Sequence, residues 1–152
     1  MRPSEVQRQA MEAIAKDEVL IAAGVTASCA DDGNKFAALT KAMAMGGKGV
    51  HVLVSAPSFT PTSSAARNAV GDLKLMAAVS EVPSINRGNA GHMTGADIAW
   101  RVAAILNMYK IGEDGPLLVL DGTIQASLDP NGEQVVYNVP IICTNQLLQE
   151  RN

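Results

Sequence analysis

The chain has 152 residues, 47% of them hydrophobic and 18% charged, and a formal net charge of −3. This length fits one domain with its own core, and the charge argues against a protein that wraps nucleic acid by charge alone. No apolar run reaches the ~18 residues that a membrane span needs, and the N-terminal segment lacks the apolar centre of a signal peptide. We therefore expect a single domain, residues 1–152, that is made and kept in a cytoplasm.

The first half of the chain predicts a helix on each side of an ambiguous stretch, and then a strand. Pro3 suits a first helical turn, and apolar residues at helical spacing follow it. The stretch from Val19 to Cys29 fits either a longer helix or a short strand, because Gly24 weakens both assignments. The predicted elements of this half are a helix at residues 3–16, a helix from Phe36 to Met45 and a strand from Val50 to Ala56.

A polar segment at residues 57–71 follows, and we expect it to be a loop that projects from the sheet. It has no apolar period, so it cannot form a core, and it is longer than most loops inside compact domains. Phe59 is its only large apolar side chain and Arg67 its main charged one, so both are expected to contact a neighbouring molecule. Residues 145–152 are also polar and are expected to form a flexible C-terminal tail.

The clearest helical pattern runs from Thr94 to Tyr109. Thr94 is a suitable N-cap, and Asp97 falls in the first turn, where the helix dipole favours a negative charge. The apolar residues at helical spacing share one narrow stripe: Ile98, Val102, Ile105, Leu106 and Tyr109. A helix with such a stripe packs against a sheet.

Strands are predicted on both sides of this helix. One runs from Leu73 to Val82, another from Leu117 to Leu120 with a continuation toward Leu128, and the last from Gln134 to Thr144. Pro140 in the last strand cannot donate to a ladder, which indicates an edge strand or a bulge. The pattern predicts an α+β fold with a mostly antiparallel β-sheet of about four strands, packed by the central helix and the N-terminal helix.

The glycine-rich segment from Gly88 to Gly95 precedes the central helix, as phosphate-binding loops precede helices. It lacks the Gly-x4-Gly-Lys spacing of such loops, and Pro83 interrupts the run before it. A flexible turn is therefore the favoured interpretation. A small cytoplasmic ligand-binding domain or enzyme that uses this loop stays as the alternative from a different functional class.

No other pattern in the sequence indicates catalysis or metal binding. His51 and His92 have no Asp, Glu or Cys at ligand spacing, and no Gly-x-Ser-x-Gly elbow occurs. Cys29 and Cys143 have no neighbouring histidine and are expected to be free, buried thiols. His51 is expected to be partly buried and hydrogen-bonded within its strand. We therefore predict no catalytic residue, no metal and no cofactor.

Trp100 is the one residue that resists a purely structural interpretation. At 100° per residue, this single tryptophan lies nearly opposite the apolar stripe, with Ala103 and Asn107 close to it. Either one of the first two helices covers Trp100, or Trp100 forms a subunit contact, since tryptophan is enriched in such contacts. Trp100, Ala103 and Asn107 are therefore candidate interface residues, together with Phe59 and Arg67.

Three segments in the second half carry a resemblance to a known family. They are Glu81-Val82-Pro83-Ser84-Ile85-Asn86-Arg87, the start of the central helix from Thr94 to Ala103, and the closing strand from Tyr137 to Ile141. Over about Leu73 to Thr144 the chain resembles the tail terminator and minor tail proteins of tailed bacteriophages. The first half departs from the simplest pattern of that family, which leaves open a related neck or tail-completion role.

The resemblance implies a non-enzymatic virion protein of the tail or neck, made in the host cytoplasm. It implies a ring, usually a homohexamer, that caps the tail tube and presents a surface to the head connector. The implied partners are other copies of the chain, the tail tube protein and a neck or head-completion protein. No membrane and no sequence-specific nucleic acid are expected, although DNA would pass through the ring. The segment that carries Phe59 and Arg67 would then meet an adjacent subunit or the tube.

Overall fold

The computed structural model describes residues 2–30, 36–65, 68–113, 115–128 and 132–147, and the statements below refer to these. The helices are α1 (Pro3–Ala15), α2 (Glu18–Ala22), α3 (Phe36–Met45), α4 (Pro83–Asn86) and α5 (Gly95–Leu106). The strands are β1 (Thr26–Cys29), β2 (Val50–Val54), β3 (Ser58–Ala65), β4 (Asn68–Glu81), β5 (Val119–Leu120), β6 (Gln125–Leu128) and β7 (Val135–Leu147). The α+β class predicted from the sequence is confirmed. No helix in these ranges is long and apolar enough to cross a membrane.

The strands form one sheet in the order β1-β2-β4-β7-β5, with β3 also beside β4 and β6 also beside β7. The β1–β2 pair is parallel and the other pairs are antiparallel, so the sheet is mostly antiparallel as predicted. The long strands β4 and β7 pair from Val70 opposite Leu147 to Glu81 opposite Val135. Two shorter strands therefore lie end to end along the outer side of each long strand.

The segment that the sequence predicts to be a loop is largely a strand. β3 pairs with the first half of β4, where Ser58 lies opposite Lys74, so β2 and β3 form one interrupted arm of a long hairpin. At the interruption Ser55 and Met76 bond twice: the Ser55 amide donates to the Met76 carbonyl at 2.8 Å, and the Met76 amide donates to Ser55 Oγ at 2.9 Å. The loop prediction for residues 57–71 is wrong because backbone pairing holds this strand, and its side chains show no apolar alternation.

The ambiguous stretch contains both structures that were considered for it. Asp17 caps α2 by accepting a hydrogen bond from the Leu20 amide at 3.2 Å, and α2 ends after one turn. Gly24 then adopts a φ of +79°, which reverses the chain into β1. The glycine that weakened both assignments is the point where helix changes to strand.

The sheet separates two buried regions. On one face, Val79 of β4 and Ile141 of β7 pack in a core with α1 and α5. On the other face, α3 packs against β2 and β4, where Leu53 and Ala78 are buried. Because neighbouring residues of a strand point to opposite faces, β2 reads as a continuous buried run. The domain is therefore a three-layer structure with β4 and β7 at its centre.

Helix α5 has the cap and the buried stripe that the sequence predicts. Thr94 Oγ1 accepts a hydrogen bond from the Asp97 amide at 3.2 Å. The buried members of the stripe are Ile98, Val102 and Leu106, each at most 1% exposed. The helix ends at Leu106 rather than near Tyr109, because the next residue, Asn107, has an extended backbone with a ψ of 122°, and Met108 has a φ of +67°.

Candidate functional site

Two buried polar side chains hold the glycine-rich connection that precedes α5. Asn86 is fully buried, and its amide donates to the Met93 carbonyl at 2.7 Å and to Glu81 Oε2 at 2.6 Å. Glu81 Oε1 accepts a hydrogen bond from the Gly95 amide at 2.9 Å. A Cβ on Gly95 would lie 3.1 Å from both Glu81 and Tyr137, so the helix start fits closely against the sheet. The connection is therefore a packed part of the fold.

This geometry argues against the ligand-binding alternative for residues 88–95. An anion bound at a helix N-terminus accepts hydrogen bonds from the first amides, and here the carboxylate of Glu81 takes that place. The Asn89 amide is bonded to the Lys48 carbonyl, which ties the middle of the connection to the loop before β2. A phosphate at this position would meet the negative charge of Glu81 at close range.

His51 is buried at 2% exposure, and both of its ring nitrogens are engaged. Nδ1 lies 2.6 Å from Thr26 Oγ1, and Nε2 lies 2.8 Å from Ser28 Oγ. Burial lowers the pKa of His51 to about 4, so the ring is neutral near pH 7. The prediction of a hydrogen-bonded histidine in a strand is confirmed, and the closed surroundings leave no ring nitrogen open to a substrate.

Neither cysteine forms a disulfide, as the sequence predicts, but of the two only Cys143 is buried as expected. Cys143 is buried, and burial raises the pKa of its thiol to about 11, which keeps it protonated and unreactive near pH 7. Cys29 is half-buried, and its Sγ lies 3.8 Å from the Gln7 carbonyl. Over the described ranges no group of three His, Cys, Asp or Glu residues could hold a metal ion.

Trp100 is 78% exposed on the outer face of α5, so neither α1 nor α2 covers it. Beside it lies an apolar depression of about 400 Å³ between α5 and the edge formed by β5 and β6. We call this depression the Trp100 groove; its lining residues are Ala96, Ala99, Trp100, Leu120, Gly122, Ile124 and Tyr137. The outward direction predicted for Trp100 is thus confirmed, and the structure adds the groove beside it.

The other candidates on α5 differ from their predicted positions or have a local role. Ala103 is only 7% exposed and belongs to the core, so its predicted place on the outer face is wrong. Ala103 lies one turn after the buried Ala99, so the buried face of α5 is wider than the stripe of Ile98, Val102 and Leu106. Asn107 is exposed, and its Oδ1 accepts a hydrogen bond from the Leu120 amide at 3.1 Å. Asn107 therefore fixes β5 against the end of the helix.

Exposed apolar side chains continue along the same edge of the sheet. Leu128 on β6 is 71% exposed, and it lies opposite Val135, on the face of the sheet that α5 covers. Met108, Leu117 and Val119 are further exposed apolar residues between the end of α5 and β5. We refer to this side of the molecule as the β5/β6 edge.

Phe59 does not join Trp100. It is 42% exposed on β3, which lies on the far side of β4 from β7, so the two central strands separate it from the β5/β6 edge. Arg67 lies outside the described residues. The predicted interface residues therefore divide between two parts of the surface.

An ion pair fixes the orientation of α5 relative to α1 and α2. The guanidinium of Arg101 donates two hydrogen bonds to the Asp17 carboxylate, from Nη2 at 2.7 Å and from Nε at 3.1 Å. The bond from Arg101, and that from the Leu20 amide, hold the pKa of Asp17 below its usual range despite partial burial. The residue next to Arg101 is Trp100, so the indole is presented by a helix that is fixed in place.

Sequence reasoning found Trp100 but missed the residues around it. Leu120, Ile124 and Tyr137 come from three different strands or turns, and only the strand pairing brings them to α5. Glu81 was also missed as a structural residue, although a carboxylate at the end of an apolar strand was an available signal. Leu128 carried no such signal in the sequence.

No protein-family model matches the sequence, and no curated protein matches it. The fold is similar to that of a chain in the solved structure of the "Virion of native gene transfer agent (GTA) particle". The TM-score is 0.62, and the alignment covers 92% of this chain and 93% of that chain at 13% sequence identity. At this identity the similarity is one of fold, and it extends over the whole domain, including the first half that departs from the simplest tail terminator pattern.

Proposed function

We propose that this protein is a structural component of a phage-like virion and that it acts by assembly, without catalysis. Two observations together carry the proposal: the similarity of fold and the exposed tryptophan. The complete fold is similar to that of a virion chain, and α5 presents a tryptophan to solvent. The contacts that hold Glu81 and His51 support a non-enzymatic role, because they engage these polar groups within the fold.

Within the virion, the role that fits best is that of a tail terminator or related tail-completion protein. Copies of the chain would form a ring, six in the usual arrangement, that caps the tail tube and meets a neck or head-completion protein. DNA would pass through the ring without base-specific contacts. Trp100 and Asn107 would lie at or near the contact between subunits, and Phe59 at the contact with the tube or a neighbouring subunit.

The energetic argument concerns the exposed indole. A tryptophan buries about 150 to 250 Å², and each Å² contributes roughly 25 cal/mol, so covering the exposed 78% of this side chain would gain about 3 to 5 kcal/mol. A monomer gains almost none of this, since Trp100 is 78% exposed. Association of copies, or docking on the tube, would recover it.

The mass of the purified protein in solution tests this proposal. We expect a closed oligomer, with a mass six times that of one chain for a hexamer, that persists on dilution through the micromolar range. A monomer at all concentrations that also bound a nucleotide or metabolite would favour the ligand-binding alternative. The variant Trp100→Ser should retain the circular dichroism of the wild type and form smaller oligomers or monomers.

A further inference from the structure

A second apolar groove lies at the opposite edge of the sheet from Trp100. It is a depression of about 510 Å³ where α1, α2 and β1 meet the loop that precedes β2. Residues that line it include Ala15, Ile21, Gly24, Ala27, Gly47 and Lys48. We call it the β1-edge groove. Since β1 ends the strand order on one side and β5 on the other, the two grooves lie on opposite edges of the sheet.

The β1-edge groove combines an apolar side chain with a cationic rim. Ile21 is 57% exposed, whereas Leu20 beside it is buried, so α2 turns one apolar side chain inward and one outward. Gly24 leaves space that the aliphatic part of Lys48 crosses: a Cβ on Gly24 would lie 2.8 Å from Lys48 Cδ. The exposed ammonium of Lys48 therefore lies at the rim, as is usual for long basic side chains on apolar surfaces.

The Trp100 groove has the complementary features. Trp100 projects beside it, and Asp97 is exposed three residues earlier, on the neighbouring turn of the same helix surface. One edge of the molecule thus offers a projecting indole next to a carboxylate. The other edge offers an apolar groove next to an ammonium, and each edge has both a projecting side chain and space to receive one.

We propose that Trp100 of one copy enters the β1-edge groove of a second copy of this chain. Ile21 of the second copy enters the Trp100 groove, and Lys48 of the second copy faces Asp97. This contact rests on the ring proposed above and names the two surfaces that build it. The surfaces are different and lie on opposite edges, so copies associate head to tail, which gives a ring when the rotation closes. A twofold contact of Trp100 with Trp100 would instead stop at two copies.

Single substitutions test the apolar part of the contact. Trp100→Ser and Ile21→Ser should each raise the dissociation constant between copies at least about a hundredfold, as the loss of a central anchor does. Circular dichroism should be unchanged, because both side chains are more than half exposed. Met43→Ser is the matched control, since Met43 is 40% exposed on α3, on the other face of the sheet. Met43→Ser should leave the mass of the oligomer in solution unchanged.

A charge exchange tests the polar part. Asp97→Lys alone and Lys48→Asp alone should each weaken association about tenfold, and the double variant should restore most of it. Equal losses in the single and the double variants would show that these two residues do not face each other. Such a result would overturn the proposed pairing.

Mixing two broken variants distinguishes the head-to-tail contact from any twofold contact. Trp100→Ser keeps an intact β1-edge groove, and Ile21→Ser keeps an intact Trp100, so together they can form one complete interface. We expect each variant alone to be a monomer by native mass spectrometry, and the mixture to give a 1:1 dimer that grows no further. A mixture that stays monomeric, or variants that still form the wild-type oligomer, would overturn the contact. If the variants still formed the wild-type oligomer, the proposed ring would stand and only this contact would be wrong. A monomeric wild type would overturn both the ring and the contact.

Discussion

The interior of this protein holds several polar side chains, whereas its β5/β6 edge exposes several apolar ones, which is the reverse of the usual arrangement. Glu81, Asn86 and His51 are buried, yet each is bonded to other groups of the fold. Within the described part of the chain, no buried side-chain nitrogen or oxygen is left without a partner. Trp100 and Leu128 are apolar, yet 78% and 71% exposed.

The difference between these regions separates what serves the fold from what serves assembly. A buried polar group without a partner costs about 1 to 3 kcal/mol, so the complete pairing inside indicates a finished structure. A single exposed apolar residue is ordinary, but neighbouring ones along one edge mark an interaction site. The inner polar residues hold the domain together, and the outer apolar residues form the surface that we propose for contact with a partner. Four changes would break or sharpen this contrast.

Acid should destabilise the domain through His51 more than through any other described group. Its pKa is lowered to about 4 in the folded protein, against about 6.5 in an unfolded chain. Below the pKa of the unfolded state, the unfolded chain binds more protons than the folded protein. Stability therefore decreases as the pH is lowered toward the folded pKa, by up to about 3 kcal/mol. Urea unfolding from about pH 7 to about pH 4 measures this loss. The variant His51→Gln should be less stable at neutral pH, and its unfolding free energy should change little between these pH values. An equal pH dependence of stability in the variant and the wild type would show that His51 is not its cause.

Asn86→Ala should destabilise the domain by about 2 to 3 kcal/mol, because it leaves Glu81 Oε2 and the Met93 carbonyl without their donor in a buried site. The control is Asn89→Ala, a partly exposed neighbour whose loss should cost less than about 1 kcal/mol. Chemical denaturation of both variants gives the comparison. Similar, small losses in the two would show that the connection before α5 is not held from inside.

Asp17→Asn should cost about 0.5 to 1 kcal/mol at neutral pH, a modest value because Arg101 is 42% exposed and screened by water. Asparagine can still cap α2, so the change removes the charge and one of the two acceptor oxygens that bind Arg101. The pKa of Asp17 is lowered in the fold, so its contribution is present above about pH 3.9 and is lost as pH falls through the folded value. The gap in stability between the wild type and the variant should therefore narrow as pH falls below the folded pKa of Asp17, and a constant gap would contradict the ion pair.

Trp100→Ser should change the unfolding free energy of the monomer by less than about 0.5 kcal/mol, since the side chain is on the surface. Ile98→Ala, two residues earlier on the inner face of α5, should cost about 2 to 5 kcal/mol. Both are measured in dilute solution, where copies are separate. A large loss in Trp100→Ser under these conditions would place the indole among the groups that hold the domain.

Much of the fold follows from local signals in the sequence. The cap and inner stripe of α5 are readable because they depend on residues three or four apart. Pro140 is instructive, since it indicated an edge strand or a bulge, although β7 has neighbours on both sides. The backbone of Met76 bonds to Ser55, away from β7, so the nitrogen of Pro140 faces the side where β5 and β6 are interrupted. The restriction of proline to unpaired strand positions therefore holds at the gap between β5 and β6, and no sequence pattern shows that gap.

The candidate site is less predictable because it depends on contacts distant in sequence. Helical spacing alone gave the direction of Trp100, but the burial of Ala103 depends on how other elements pack against α5, which spacing does not show. The polar strand β3 is held by its backbone and was read as a loop, so its composition gave the wrong structure. Neither groove has a sequence signature, since each is formed where several elements meet.

The central claim is that this protein is a ring-forming part of a virion. The most direct test is cryo-electron microscopy of purified particles that contain it, with side chains resolved at the junction of tail and neck. We predict a ring of identical copies on the end of the tail tube, with Trp100 buried between neighbouring copies. Particles complete without this chain, or a chain present with Trp100 facing solvent and no contact between copies, would contradict the account.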